Sequence, residues 1–184
     1  MLISQVKQNV SFMKLQKKPN YFLLDVDGVL NTGQFIYNSK GKFGKIFGAD
    51  DNDALKILSN YIKIEFITSD KKGLKITKKR VVTGMGFKLN FVPNNKRLEW
   101  IKKNVKKNVS IYMGDGLFDW ILMKNFCYTV SCKNSNEITR KYSHYITKNH
   151  SGERAVSEAC YHILKKFFVG KNLEKIISNY YKKL

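Results

Sequence analysis

The sequence predicts an α/β fold, a Rossmann-like parallel sheet flanked by helices, with a β-hairpin after the first strand. Short apolar runs alternate with segments of helical periodicity along the chain, and this alternation is typical of parallel sheets covered on both faces. Polar residues directly follow three of these runs, as expected where parallel strands end at one edge of a sheet. The 184 residues suffice for one domain with its own core, which we expect over 1–184.

Strands are predicted where short apolar or β-branched runs lie between polar turns, and helices where apolar residues recur every three or four positions. In the first half this gives, in order, strand 21–25, hairpin 34–47, a helix from about 51 to 60, strand 63–68, a helix near 71–84 and strand 87–92. In the second half it gives helix 95–104, strand 109–113, helix 117–125, strand 126–130, helix 134–141, strand 143–147 and a final helix at 153–168.

The two ends of the chain lie outside the predicted core of about residues 20–168. The tail 172–184 is predicted to be helical because its apolar residues have helical spacing: Leu173, Ile176, Ile177 and Tyr180. This face suits docking either on the chain's own core or on a neighbouring subunit. Residues 1–20 contain polar residues throughout and no long apolar run, so we expect neither a signal peptide nor a transmembrane segment there.

The first strand ends in two carboxylates and a glycine. Asp25 and Asp27 are one residue apart, so their side chains share one side of an extended segment and can converge on one point. Carboxylates that close repel each other, and a hard cation such as Mg²⁺ with oxygen ligands relieves this repulsion. A carboxylate in such a place can also attack phosphorus. Gly28 permits a sharp turn and the approach of a phosphate to the backbone. A plain polar turn after a strand is the alternative.

Three later segments decide between these readings. Thr68 and Ser69 follow a second apolar strand and can donate hydroxyl hydrogen bonds to a phosphoryl oxygen. Lys96 opens a predicted helix and can supply a cation. Asp115 follows a third strand, and Asp119 lies four residues further on. Each signal is weak alone, but their order and their placement at strand ends predict a phosphoryl-transfer site.

This ordered set resembles the haloacid dehalogenase superfamily of aspartate-nucleophile phosphatases, over roughly residues 21–165. The match is carried, in motif order, by Asp25-Val26-Asp27-Gly28-Val29, Thr68-Ser69, Lys96 and Gly114-Asp115 with Asp119. The segments between the motifs are too short to hold a cap domain. The hairpin after the first motif and the stretch Gly152-Glu153-Arg154-Ala155-Val156 are similar to the capless 3-deoxy-manno-octulosonate 8-phosphate phosphatase family and its relatives in sialic-acid-type pathways.

The resemblance implies roles for these residues. Asp25 would be the nucleophile and Asp27 the general acid and base, with Thr68 and Lys96 as further catalytic groups. Gly28, Thr68, Ser69 and Lys96 would bind the phosphate of the substrate. The Asp25 carboxylate, the Asp27 carbonyl and the Asp115 carboxylate would hold Mg²⁺. Asp119 would orient Lys96 or metal-bound water without touching the metal.

The resemblance also implies a substrate and an assembly. The substrate would be a phosphorylated 2-keto sugar acid of the octulosonate 8-phosphate or nonulosonate 9-phosphate type. Members of the group form homotetramers through their hairpins, and a neighbouring subunit helps to enclose each site. This chain departs from the family at Asp70, where an Arg is usual, at Asp50, at Asn52, at Gly116 and at Ser157. These departures fall among residues that read the sugar acid, so the phosphate ester could be a different one.

The formal charge of +20 is the strongest compositional feature. Lys outnumbers Arg thirty to four, and the lysines are dispersed rather than clustered on one predicted face. We therefore expect no dedicated nucleic-acid partner, but a surface that attracts anionic substrates. The three cysteines contain no Cys-x-x-Cys pair, which favours reduced thiols in a cytoplasmic protein without a membrane partner.

Two further classes of function stay open at this stage. The chain could be a phosphatase-like subunit without catalysis, although every motif residue is present. It could also be a basic phosphatase of nucleic-acid ends, for which a cationic groove beside Asp25 would be the distinguishing feature.

Overall fold

A computed structural model describes residues 18–170 and 172–183 of the chain. The expectation for the N-terminal segment falls mainly on residues 1–17 and therefore lies outside the described part. Among the described residues, no helix has the length and apolar character needed to cross a membrane.

The main sheet has six strands in the order β5-β4-β1-β6-β7-β8, and each neighbouring pair is parallel. The strands are β1 (Tyr21–Asp25), β4 (Lys63–Thr68), β5 (Lys88–Phe91), β6 (Ser110–Met113), β7 (Tyr128–Ser131) and β8 (Tyr145–Ile146). The predicted fold class is confirmed. The first strand lies at the centre of the sheet, so its C-terminal end is flanked by the ends of β4 and β6.

Helices cover both faces of this sheet. They are α1 (Asp51–Leu58), α2 (Leu74–Lys78), α3 (Asn94–Asn104), α4 (Asp119–Met123), α5 (Glu137–Lys141), α6 (Ala155–Ile163) and α7 (Leu173–Tyr181). Two of them, α2 and α6, continue as π-helical turns over Lys79–Gly84 and Leu164–Val169. The predicted helices near 71–84 and at 153–168 each correspond to such a pair.

The alternation of side chains along β1 divides the core in two. Phe22 and Leu24 belong to the larger apolar cluster, which also takes buried residues of α1 and α6. Leu23 belongs to the smaller cluster with Ile101 of α3 and residues of α4. Because successive strand residues point to opposite faces, one apolar strand can serve both clusters. This pattern explains why β1 reads as a continuous apolar run.

The C-terminal helix α7 docks on the chain's own core. Leu173 is buried in the larger cluster, and the other three predicted apolar residues pack against it: Ile176, Ile177 and Tyr180. Of the two docking options that the sequence left open, the structure shows this one.

The predicted hairpin forms a separate two-stranded antiparallel sheet of β2 (Asn31–Asn38) and β3 (Gly41–Phe47). It begins directly after the turn that follows β1, and α1 begins four residues after it ends. Within the described chain this hairpin is the insertion between the first motif and α1, and no cap domain occupies that place. Among the described residues, this hairpin is thus the inserted element next to the C-terminal edge of the main sheet, where Lys45 contacts residues that follow β1 and β4.

Candidate active site

The acidic residues predicted from the sequence converge at the C-terminal edge of the sheet. Asp25 ends β1, and Asp115 lies two residues after β6. Carboxylate oxygens of Asp25, Asp115 and Asp119 all lie within 4.8 Å of one another. Oxygen ligands at this separation can surround one hard cation.

Gly28 makes this convergence possible. Its φ is 84°, a left-handed conformation that side chains rarely adopt. A Cβ placed there would lie 2.0 Å from Oδ2 of Asp115. The glycine therefore provides the space into which the Asp115 carboxylate extends.

Asp119 holds the loop after β6 in shape. Its Oδ1 accepts a hydrogen bond of 2.8 Å from the Tyr112 hydroxyl. Its Oδ2 accepts from the backbone amides of Asp115 at 2.9 Å and Gly116 at 2.8 Å. Both oxygens are thus engaged by donors of the chain. This arrangement suits a residue that positions Asp115 rather than one that binds a metal itself.

The cation beside the carboxylates is Arg97, and the sequence prediction of Lys96 in this place is corrected. Lys96 has a side chain that is 65% exposed, and its ammonium lies 3.5 Å from Glu99. The buried Arg97 donates to Oδ1 of Asp25 at 2.9 Å, and its other terminal nitrogen lies 3.9 Å from Oδ1 of Asp119.

Helix geometry explains why Arg97, and not Lys96, faces the carboxylates. Consecutive residues on a helix point about 100° apart, so only one of Lys96 and Arg97 can face the sheet. Arg97 and Ile101 are the buried residues of α3, and residues four apart share one face of a helix. This spacing was visible in the sequence and would have favoured Arg97.

The positive charge of Arg97 does not balance the negative charges of the neighbouring carboxylates. Burial raises the pKa of Asp25, although the Arg97 guanidinium acts in the opposite direction. Burial also raises the pKa of Asp115, and the charges of Asp25 and Asp119 raise it further. A bound divalent cation would relieve this repulsion, so the donor set fits a hard metal ion.

Asp27 has two oxygens in different surroundings. Its Oδ1 accepts from the Asn31 side-chain amide and faces the Lys45 ammonium, each at 2.7 Å. Its Oδ2 lies 3.4 Å from the Thr68 hydroxyl, which donates to it. The structure thus brings Thr68 to the acids, as the sequence predicted, and it adds Lys45, which the sequence did not single out.

Asp70, one of the departures from the family pattern, contacts two lysines of the hairpin. Asp70 pairs with Lys42 at 2.7 Å and with Lys45 at 2.9 Å. Burial raises the pKa of Asp70, but the hydrogen bonds from the two lysines outweigh it and lower the pKa to about 2. Ser69, the preceding residue, is half-buried at the same strand end. Asp70 is therefore a structural acceptor for the hairpin.

Two further altered positions, Asp50 and Ser157, lie at the starts of α1 and α6, which pack against each other. Asp50 forms an ion pair with Arg154, and both residues have positive φ values, 62° and 71°. The Ser157 amide donates to Oδ1 of the buried Asp51 at 2.8 Å. These contacts join the start of α1 to the start of α6 beside the site.

Comparison with known proteins agrees with this geometry. No family model matches the chain. The chain is 28% identical over 145 residues to 3-deoxy-D-manno-octulosonate 8-phosphate phosphatase of Escherichia coli K12, covering 75% of each protein.

Solved structures give the same result. The phosphatase of that name from Moraxella catarrhalis, crystallised with magnesium, phosphate and its sugar acid, is 29% identical with a TM-score of 0.72, over 88% of this chain and 93% of the other. A probable YrbI family phosphatase from Pseudomonas syringae is 25% identical with a TM-score of 0.77, over 92% and 97%.

In sequence, fold and site geometry the chain is similar to haloacid dehalogenase-type phosphatases without a cap domain, which are phosphoric monoester hydrolases. Within that class, the chain's homologues are the 3-deoxy-manno-octulosonate 8-phosphate phosphatases.

Proposed function

We propose that this protein is a Mg²⁺-dependent phosphatase that hydrolyses a phosphorylated 2-keto sugar acid through an aspartyl-phosphate intermediate. The observation that carries the proposal is the convergence of Asp25, Asp115 and Arg97 at the end of the central strand. A nucleophilic carboxylate, a metal-binding carboxylate and a cation in one place are the parts that phosphoryl transfer requires.

Three groups would hold the metal: the carboxylates of Asp25 and Asp115 and the backbone carbonyl of Asp27. Bound there, Mg²⁺ would neutralise charge on the carboxylates and on the phosphoryl oxygens. Asp119 is not part of this set because both of its oxygens already accept hydrogen bonds from the chain.

The chain's own residues would carry the reaction in two steps. In the first, Asp25 attacks phosphorus, the bond from phosphorus to the sugar oxygen breaks, and Asp27 gives its proton to that oxygen. In the second, Asp27 takes a proton from water, which attacks the phosphorus of the aspartyl-phosphate and releases phosphate and free Asp25. Thr68 donates to a phosphoryl oxygen, and Gly28 and Ser69 leave room for the phosphate beside the backbone.

Arg97 takes the role that the sequence suggested for Lys96. Its contact with Asp25 orients the attacking carboxylate and supplies a positive charge next to the transferring group. A guanidinium stays charged at any working pH, so this contribution does not depend on protonation.

The proposed substrate class rests on the homologues, whose names specify octulosonate 8-phosphate. This chain has the acid Asp70 at a position where the family usually has Arg, and Asp70 pairs with Lys42 and Lys45. The position therefore offers no cation to the carboxylate of a sugar acid. A related substrate, such as a nonulosonate 9-phosphate, is therefore part of the proposal. The net charge of +20 would favour the encounter with any such anion.

We also propose a homotetramer assembled through the hairpin, in the cytoplasm. The hairpin carries large apolar side chains that are 38–58% exposed: Phe35, Ile36, Tyr37, Phe43 and Ile46. Exposed apolar groups this close together mark contact surfaces in soluble proteins. Sedimentation measurements on the intact protein and on a variant with Tyr37 and Phe43 changed to Ser would test this assembly.

The function is tested by Mg²⁺-dependent phosphate release from a panel of sugar phosphates that includes octulosonate 8-phosphate and nonulosonate 9-phosphates. Asp25→Asn serves as the inactive control. Turnover of a sugar-acid phosphate that disappears in the control supports the proposal and identifies the substrate. If the protein hydrolysed only a different phosphate ester, that ester would replace the sugar acid as the proposed substrate. If a folded, Mg²⁺-binding protein released no phosphate from any substrate, a noncatalytic role would be favoured.

A further inference from the structure

Lys45 is the most completely buried cation of the hairpin. Its side chain has 0% exposure. The ammonium has three acceptors: Oδ1 of Asp27 at 2.7 Å, Oδ2 of Asp70 at 2.9 Å and the Thr77 hydroxyl at 2.9 Å. A lysine ammonium has three N–H donors, so all of them are used within the chain. Lys45 therefore has no donor left for a substrate.

One oxygen of Asp27 is saturated by these contacts. Oδ1 receives both Lys45 and the Asn31 side-chain amide. The Asn31 amide is itself fixed, because its oxygen accepts from the backbone amides of Gly28 at 3.1 Å and Gly33 at 2.8 Å. The other oxygen of Asp27, Oδ2, faces the Thr68 hydroxyl at the strand end. The carboxylate can thus present only one of its oxygens to a ligand.

We propose that Lys45 is a positioning residue for the general acid and base. It fixes the Asp27 carboxylate so that Oδ2 is the oxygen that exchanges the proton with the leaving group and with water. The inference deepens the proposed function and rests on it. The O–H bond of Oδ2 breaks as the new bond to the sugar oxygen forms, and it forms again when water gives up a proton. Throughout both steps Oδ1 stays hydrogen-bonded to Lys45 and Asn31.

Asp70 completes this arrangement. Its Oδ2 accepts from Lys45 and from Lys42, and its Oδ1 accepts from the Gly73 amide at 3.0 Å. A Cβ at Gly73 would lie 2.2 Å from Asp70 and 2.6 Å from Lys45, so the group is tightly packed. Asp70 therefore holds the Lys45 ammonium against Asp27 and ties the hairpin to the end of β4.

If Lys45 had a purely structural role, its loss would slow the hydrolysis of all substrates by the same factor. Two substrates with different leaving groups therefore distinguish a structural role from a role in positioning Asp27. The leaving oxygen of octulosonate 8-phosphate is an alkoxide and needs a proton as it departs. Nitrophenolate, the leaving group of p-nitrophenyl phosphate, is a stable anion and leaves without one. The parameter kcat/KM reports only the steps through loss of the leaving group, so hydrolysis of the aspartyl-phosphate does not mask the difference.

The test compares kcat/KM for these two substrates in the wild type, Lys45→Met and Lys45→Arg. We expect Lys45→Met to lower the value for octulosonate 8-phosphate about 100-fold and that for p-nitrophenyl phosphate less than about fivefold. Lys45→Arg should recover part of the loss on the sugar phosphate because it retains a charged donor. Equal losses on both substrates would overturn the inference.

Lys42→Met is the matched control. Lys42 lies on the same strand, its side chain is 5% exposed, and it contacts Asp70 at 2.7 Å. Its ammonium lies over the Phe35 ring, 3.3 Å from the centroid. Because Lys42 is paired with Asp70 and not with Asp27, we expect its loss to change both substrates by the same factor. If Lys42→Met lowered kcat/KM for the sugar phosphate relative to p-nitrophenyl phosphate as much as Lys45→Met does, the specific role of Lys45 would be contradicted.

Two further results keep the inference testable if Lys45→Met fails to fold. Asp70→Asn removes the negative charge that holds Lys45. We expect it to lower kcat/KM for the sugar phosphate more than for p-nitrophenyl phosphate, by a smaller factor than Lys45→Met. An unchanged ratio of the two values in Asp70→Asn would overturn the inference. Inactivity of the wild type on both substrates would instead remove the proposed function, so the two failures are distinct.

Discussion

Glu65 and Asp25 are buried carboxylates on neighbouring strands with opposite surroundings. Glu65, in the N-terminal half of β4, is 2% exposed. It pairs with Lys63 at 2.7 Å and Lys88 at 3.2 Å, and it accepts from Tyr21 at 3.1 Å and Asn90 at 2.9 Å. Burial raises the pKa of Glu65, but these donors outweigh burial and lower it.

Asp25, at the other end of the sheet, is 7% exposed and has Arg97 as its side-chain donor. It also faces the carboxylates of Asp115 and Asp119, and its pKa is raised by burial. Burial alone therefore does not mark a functional acid. A structural carboxylate is surrounded by donors of its own chain, whereas a functional one lacks positive charge until a ligand supplies it.

The largest expected effect is the difference in phosphatase activity between variants of Asp25 and Glu65. We expect Asp25→Asn to reduce phosphate release by at least about 10⁴-fold, because it removes the proposed nucleophile. Glu65→Gln should retain activity within about threefold, since Glu65 contacts no part of the proposed site. Steady-state phosphate release by both variants under saturating Mg²⁺ measures this. Activity that survives in Asp25→Asn would show that another group attacks phosphorus.

The next effect concerns Arg97, the cation that contacts Asp25. Arg97→Met is expected to lower kcat about 10²- to 10³-fold, as loss of a charged group beside the transferring phosphoryl does. Lys96→Met is its neighbour and control, with an expected change below about threefold because its side chain is exposed and paired with Glu99. The reverse order of effects, in the same assay, would restore Lys96 to the site.

Neutralising a carboxylate should change the free energy of unfolding in opposite directions at the two ends of the sheet. Glu65→Gln is expected to lower the free energy of unfolding by about 2 kcal/mol, since Lys63 and Lys88 lose their charged acceptor. Asp115→Asn is expected to raise it by about 1–2 kcal/mol in Mg²⁺-free protein, because one of the repelling carboxylates becomes neutral. Urea unfolding at pH 7 with a chelator measures both values. Destabilisation by both variants would mean that the acids at the site do not repel one another.

Asp51 offers the smallest and finest test. It is 1% exposed, its Oδ1 accepts from Ser157, and its Oδ2 has no partner among the described residues. Burial raises its pKa from 3.8 to about 6, although the Ser157 amide acts in the opposite direction. Asp51 is not a member of the acidic cluster of Asp25, Asp115 and Asp119, yet burial raises its pKa in the same direction.

The sign of the pH dependence follows from this shift. Because the folded-state pKa exceeds the unfolded one, the folded protein binds more protons between pH 4 and pH 6, and stability falls as the pH rises through that window. We expect Asp51 to cost up to about 2 kcal/mol between pH 4.5 and pH 7. Unfolding of Asp51→Asn at both pH values should show a correspondingly smaller decline than the wild type. Parallel declines in the two proteins would contradict the shift.

Much of the fold was predictable because it depends on short-range patterns. The apolar runs of β1, β4 and β6 and the polar residues that follow them indicated a parallel sheet and the edge where the acids meet. The roles of Asp25 and Asp27 stay predictions, since two carboxylates of one motif differ only through their contacts.

The cations at the site were harder to predict. Lys96 and Arg97 are adjacent, and the choice between them depends on which face of α3 packs on the sheet. Lys45 is one of thirty lysines, and nothing in the hairpin sequence distinguishes it from Lys40 and Lys42. Its partners, Asp27, Asp70 and Thr77, come from three other segments, so only the tertiary structure identifies it.

The central position of β1 has a consequence for folding kinetics. Tyr21 pairs with Lys63 of β4 on one side and with Ser110 of β6 on the other, so both neighbours of the strand come from distant parts of the chain. Pairings this distant in sequence form slowly, whereas a hairpin such as β2–β3 can form early because its strands are adjacent in the chain. The carboxylates meet only when the long-range pairings are complete. A partly folded chain therefore has no functional edge, and a nascent chain acquires one only after β6 has been synthesised.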